Sequence, residues 1–173
     1  RYAIETIHAA SSMEPFDLID ELRDKDRHVR SDVDILRQMS ERHPDCPELW
    51  DVLGDIQQIC VDHEYGIDES VACYQKAIDC DPRYAPAHVS LGYAYDTYFD
   101  DFANAAEHFR LAIAFGAGDT ARIGLARVLA QLGDAAAATA ELDFCTDQNH
   151  TAIPELRREI SEGLWFDPPL EEA

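Results

Sequence analysis

Two short signatures recur along this chain in step, and that periodicity restricts its fold more than any other feature. Trp50-Asp-Val-Leu53-Gly54 places an aromatic residue three positions before a Leu-Gly step. His88-Val-Ser-Leu91-Gly92 repeats the step, and Arg122-Ile-Gly-Leu125-Ala126 gives a third version. The leucines lie 38 and then 34 residues apart. The second signature runs Ser70-x3-Tyr74-x2-Ala77, then Ala105-x3-Phe109-x2-Ala112, then Ala138-x3-Leu142-x2-Cys145, at steps of 35 and 33 residues. Pro44 stands six residues before Trp50, and Pro82 six before His88. A unit of this length makes two antiparallel helices that cannot bury their apolar faces alone, so successive units must stack.

The spacing resembles the tetratricopeptide repeat family, whose pattern is Trp-x2-Leu-Gly-x2-Tyr, then Ala-x3-Phe, then Pro over about 34 residues. The resemblance covers residues 46 to 146 and implies an all-α fold, a right-handed superhelix of antiparallel helix pairs with a C-terminal capping helix. Small residues such as Gly54, Gly92 and Ala105 let helices approach, and Tyr74 and Phe109 fill the space between them. The departures are His88 and Arg122 in place of Trp, Gln57 in place of Tyr, Ser70 in place of Ala, and about four extra residues within Val61–Gly66. Asp81-Pro82 closes the first pair, because proline disfavours helix in the residue before it. Gly133-Asp134 reads as the turn inside the third pair.

Three segments follow: 1–30 with a short helix, 31–150 with three recognisable pairs after a degenerate one, and 151–173 with a capping helix and apolar tail. Residues 31–43 read as the second helix of the degenerate repeat, with Ser31 as N-cap and Leu36 and Met39 matching Tyr74 and Ala77. Its partner starts at Pro15 and offers Phe16, Leu18, Ile19 and Leu22 to the core, before the charged turn Arg23–Arg27. Ile153, Leu156, Ile160 and Leu164 recur at helical spacing, with Glu155, Arg157, Arg158 and Glu159 between them, as an amphipathic cap requires. Trp165–Leu170 is expected to dock on the chain's own surface, since exposed Trp and Phe in sequence are costly. Met13 could be a native start, with residues 1–12 foreign or processed.

In proteins of this family the first helix of each pair lines a concave groove. Asp51, Asp55 and Gln58 share one stripe at i, i+4, i+7 spacing; Val89, Tyr93 and Asp96 share the next, and Ile123, Arg127 and Ala130 the third. All of these except Ala130 form the candidate partner-binding set, with Tyr93 as a stacking surface. The groove reads as acidic at its N-terminal end and more apolar or basic later. A family subclass uses Lys and Asn at such places to grip a terminal carboxylate, and Asp51 and Asp55 would repel that ligand.

Charge agrees with a basic partner. Fourteen Lys and Arg against 35 Asp and Glu give −21, which repels nucleic-acid phosphates and anionic lipid. No apolar run is long enough to span a membrane. Five scattered cysteines, with no Cys-x-x-Cys pair, argue against a disulfide framework and fit a cytoplasmic protein. Cys60-x2-His63, with Asp62, Glu64 and Cys73 nearby, has the spacing of a zinc site but reads better as a core Cys and a loop His. His88 and His108 could be acid–base groups, yet His88 occupies the Trp packing position. No phosphate-binding glycine loop, Gly-x-Ser-x-Gly elbow or His-Glu-x-x-His occurs. The expected function is therefore a protein–protein interaction module, a scaffold or adaptor binding a protein or peptide, without cofactor, metal or catalysis. Self-association through the tail or the open repeat ends is the alternative, and a metal-dependent enzyme comes third.

Overall fold

The computed structural model describes residues 13–165, and every described regular element is a helix. In chain order these are α1 Pro15–Arg23, α2 Arg30–Arg42, α3 Pro47–Ile59, α4 Ile67–Cys80, α5 Ala85–Tyr98, α6 Phe102–Ala114, α7 Asp119–Gln131, α8 Ala135–Asp143 and α9 Ala152–Glu162. They form an all-α array of adjacent helix pairs. None is long and apolar enough to cross a membrane. The described residues divide into two compact units, one up to Ser90 and one from Leu91 on, and α5 carries residues of both.

In the first unit α3 packs on α4, while α1 and α2 pack on α3. Pro15 and Pro47 each open a helix at its first turn, where the missing N–H costs nothing. The core gathers Leu18, Ile19, Leu36, Met39, Leu49, Leu53 and Tyr74, each at most 3% exposed. Gly54 shows why the repeat needs a small residue: a Cβ there would lie 2.5 Å from Tyr74 Cε1. Tyr74 thus occupies the volume that any larger side chain on α3 would claim. The loop 60–66, longer than the family spacing requires, is tied down. Val61 N–H donates to His28 O (3.0 Å) and Arg30 N–H to Asp62 Oδ1 (2.6 Å).

In the second unit α7 packs on α6 and α8, and α9 packs on α8 and α7. Phe109 takes the part that Tyr74 plays in the first. A Cβ at Gly92 would fall 2.7 Å from its ring, and one at Gly124 2.5 Å. The turn at Gly133 has φ 89°, a left-handed conformation that glycine adopts without penalty. Asp134 Oδ1 then accepts Ala137 N–H (2.9 Å) and caps α8.

Three sequence expectations are corrected. Ser31 is not the N-cap of α2; the helix starts at Arg30, and Asp32 Oδ2 accepts Val29 N–H (2.9 Å) instead. The carboxylate of Asp32 reaches back over the first turn, which the shorter Ser31 hydroxyl would have had to do from inside it. Phe16 is 59% exposed while Leu18, Ile19 and Leu22 are buried, because a nine-residue helix presents only one face to α3. Leu164 is 60% exposed: Gly163 turns left-handed (φ 67°) and ends α9 before the apolar stripe reaches it. Of the apolar tail only Trp165 is described; residues 166–170 and the segment 1–12 lie outside the described residues.

The family departures have physical substitutes. Trp50 Nε1–H donates to Pro44 O (3.0 Å), and His88 Nε2 bonds Pro82 O (3.1 Å). An imidazole N–H therefore reproduces the indole's bond to a proline carbonyl six residues earlier, and His88 is buried. Gln57, also buried, accepts from Cys73 Sγ (3.6 Å). All five cysteines are free thiols.

Candidate partner-binding faces

The two units present the expected stripe residues in different chemical states. On α3, Asp51 and Asp55 are one turn apart. Asp51 is only 3% exposed. Its oxygens accept from Ser90 Oγ (3.3 Å) and Tyr84 OH (3.4 Å). Asp55 is exposed, and Tyr74 OH donates to its Oδ1 (2.9 Å). Gln58 Nε2 donates in turn to Tyr74 OH (2.5 Å). Among the described residues neither carboxylate holds an ion pair, although seven Lys or Arg pairs with carboxylates form elsewhere.

That missing cation sets the electrostatics. Burial pushes the Asp51 carboxyl up to about 7, and the neighbouring Asp55 charge adds to the push. Hydrogen bonds from Ser90 and Tyr84, and the more distant Arg23, oppose it without cancelling it. Asp55 is raised as well, by desolvation of its carboxylate, against Tyr74 and Arg23. Tyr74 and Tyr84 are held far into their protonated range, first by burial and then by the acids beside them. Their hydroxyls therefore remain donors. Val89, the next residue of the expected set, is half-buried.

The second unit reverses the arrangement. Asp96, 6% exposed, is bound at one oxygen by Arg127 Nη2 and at the other by Gln131 Nε2 (2.8 Å). Its negative charge is met inside the chain. The Arg127 guanidinium lies 5.4 Å from the centre of the Tyr93 ring. Tyr93 stands edge-on to Phe109 (5.0 Å between centroids) and donates its hydroxyl to Thr120 O (3.1 Å). The stacking face expected for a partner is thus already used in part by Arg127.

Tyr93, Ile123 and Arg127 nevertheless line one cavity of about 300 Å³. The opposite wall is α9, with Ala152, Glu155, Leu156 and Glu159, and Trp165 closes one side. The sequence pattern assigns Glu155 and Glu159 to the solvated side of a cap. Their i, i+4 spacing places them on one face, but nothing in the sequence says that α7 lies opposite. The role of Tyr74, Tyr84 and Ser90 around the α3 acids is equally hidden there, since the repeat pattern reads Tyr74 as packing alone.

The Cys60–His63 stretch is arranged otherwise than a zinc site needs. Cys60 Sγ donates to Asp62 Oδ1 (3.4 Å), His63 packs edge-on to Tyr65 at 4.4 Å, and no three His, Cys, Asp or Glu converge among the described residues. Cys73, in the core, has its thiol raised by burial to about 11, which keeps it protonated and unreactive.

Comparison with known proteins agrees with the repeat spacing. Residues 67–96, which span α4 and most of α5, match the family model described as TPR repeat. A thermophilic TPR protein from Thermus thermophilus has a similar structure, with a TM-score of 0.59 and 20% identity over 79% of this chain and 73% of that one. No curated protein matches the sequence.

Proposed function

We propose that this tetratricopeptide-repeat fold serves as an interaction module that receives a partner segment carrying basic residues at the α3 face. Tetratricopeptide repeats are generally protein-interaction modules, which supports the class of activity by analogy; the basic partner is argued from the site, because a fold alone does not fix function. One observation supports it above all others. Asp51 and Asp55 sit one turn apart, the first almost fully buried, with no cation paired to either among the described residues. Buried charges in proteins are ordinarily paired, because desolvation without a counter-ion is costly. Here the deficit has an outlet: Asp55 keeps an exposed edge although its carboxylate is partly desolvated, and a Lys or Arg side chain docking on it would also stabilise the charge on Asp51 behind it. The chain's net charge of −21 draws such a segment in over longer range.

Capture from native extract at low and high salt, with the wild type and the Asp51→Asn/Asp55→Asn double variant side by side, tests this reading. A partner that is lost at high salt and in the double variant supports it. A partner retained equally by both proteins at both salt concentrations defeats it.

A further inference from the structure

The cavity between α7 and α9 has a charge balance that the sequence did not announce. The cation among its lining residues, Arg127, is engaged by Asp96, whose other oxygen is taken by Gln131. Glu155 and Glu159 face the cavity one turn apart on α9. Neither holds an ion pair among the described residues, whereas the neighbouring basic residues of α9 are committed elsewhere. Arg157 binds Asp143 (2.7 Å) and Arg158 binds Glu162 (2.9 Å). With Arg127 and Asp96 cancelling, the lining keeps two uncompensated carboxylates. Its other walls are aromatic and aliphatic: Tyr93, Trp165 and Leu156.

We infer that this cavity is a subsite for a single arginine side chain of a partner segment. The inference rests on the reading that the partner is basic, but it uses different residues in the other unit. Charge complementarity selects a cation. Arg127 already lies over Tyr93, so the Trp165 indole is the wall that suits a planar guanidinium, which is weakly hydrated and stacks on ring faces. Carboxylates at i, i+4 stand about 5–6 Å apart at Cβ, and the five-donor fork of arginine can bond to both where the compact ammonium of lysine serves one at a time. Leu156 receives the aliphatic stem. A volume of about 300 Å³ is at the lower end of ordinary ligand pockets and is enough for one long side chain.

The two tryptophans make the test specific. Trp50 Nε1–H is bonded to Pro44 O in the first unit, whereas the Trp165 indole N–H is buried without a partner among the described residues. Their two indole signals in a nitrogen–proton correlation spectrum of the full chain therefore provide a reference and a reporter. The probes are acetyl-Gly-Arg-Gly-amide and the same tripeptide with lysine or with neutral, isosteric citrulline. Arginine is expected to move the Trp165 signal saturably while Trp50 stays fixed. Lysine should bind more weakly and citrulline should leave the signal unmoved. Glu155→Gln/Glu159→Gln should weaken the arginine titration about fivefold, as losing two partly exposed ion pairs implies, with unchanged helical circular dichroism and an unchanged thermal unfolding midpoint confirming an intact fold. An unmoved Trp165 signal, an equal response to citrulline, or a titration indifferent to the double variant overturns the inference. Asp51→Asn/Asp55→Asn is expected to leave this titration unchanged, so failure here leaves the α3 reading standing, and failure there leaves this one.

Discussion

Replacing Asp51 by Asn should stabilise the protein, increasingly so as pH rises. Burial holds the native carboxyl at about 7, against an ordinary value of 3.8, so the two states differ by about three pH units. Between those two values the native state holds a proton that the unfolded chain has released, so wild-type stability falls as pH rises through the interval. The contribution is fully present below 3.8 and is spent once pH passes about 7. At about 1.4 kcal/mol per unit, the full loss is about 4 kcal/mol. Asn carries no charge to desolvate, and its carbonyl oxygen can still accept from Ser90 or Tyr84. The stability advantage of Asp51→Asn over wild type should therefore grow by about 3 kcal/mol between about pH 5 and pH 8. Urea unfolding followed by helical circular dichroism at a series of pH values measures it, and taking the difference between the two proteins removes the titration of the groups that do not interact with Asp51. A difference that stays flat across that range, or a wild type more stable than the variant at the upper end, would show that Asp51 is neither desolvated nor uncompensated as argued. The same variant should bind the basic partner less well, a trade of stability against function expected of a site rather than of a core.

Gly124→Ala should cost about 1–3 kcal/mol through overpacking, since its Cβ would meet the Phe109 ring at 2.5 Å; thermal unfolding measures it, and a neutral result would mean that Phe109 moves freely. Ser70, 1% exposed, buries an Oγ with no partner among the described residues, so Ser70→Ala should be neutral or stabilising by up to about 1 kcal/mol, again read from urea midpoints. Arg127→Ala strands the buried carboxylate of Asp96 and should cost about 2 kcal/mol, with much of it recovered in the Arg127→Ala/Asp96→Asn double variant; absence of recovery would mean that Arg127 matters through its packing on Tyr93 instead.

Much of the fold was legible because it depends on spacing that survives along the chain. The Leu-Gly step recurs because the Gly54–Tyr74 and Gly92–Phe109 approaches recur, and each is a contact between neighbouring helices of a fixed length. His88 in place of Trp was readable as a packing residue for the same reason, its proline partner lying six residues away just as for Trp50. Local signals failed at the ends of elements, where Phe16 and Leu164 kept the apolar period but not the burial. There a helix had run out of neighbour or had stopped at a left-handed glycine.

The site was a different matter. Sequence alone placed Asp51, Asp55 and Asp96 on helix faces of one kind and could assign them nothing more than a shared negative sign. Tertiary structure separated them: Asp96 meets Arg127, 31 residues on, whereas Asp51 meets Ser90, 39 residues on, and no cation. Position on a helix follows from a local period, but the free energy of a charge depends on the solvent withdrawn from it and on the charges brought close in space. Those are settled only when distant parts of the chain come together.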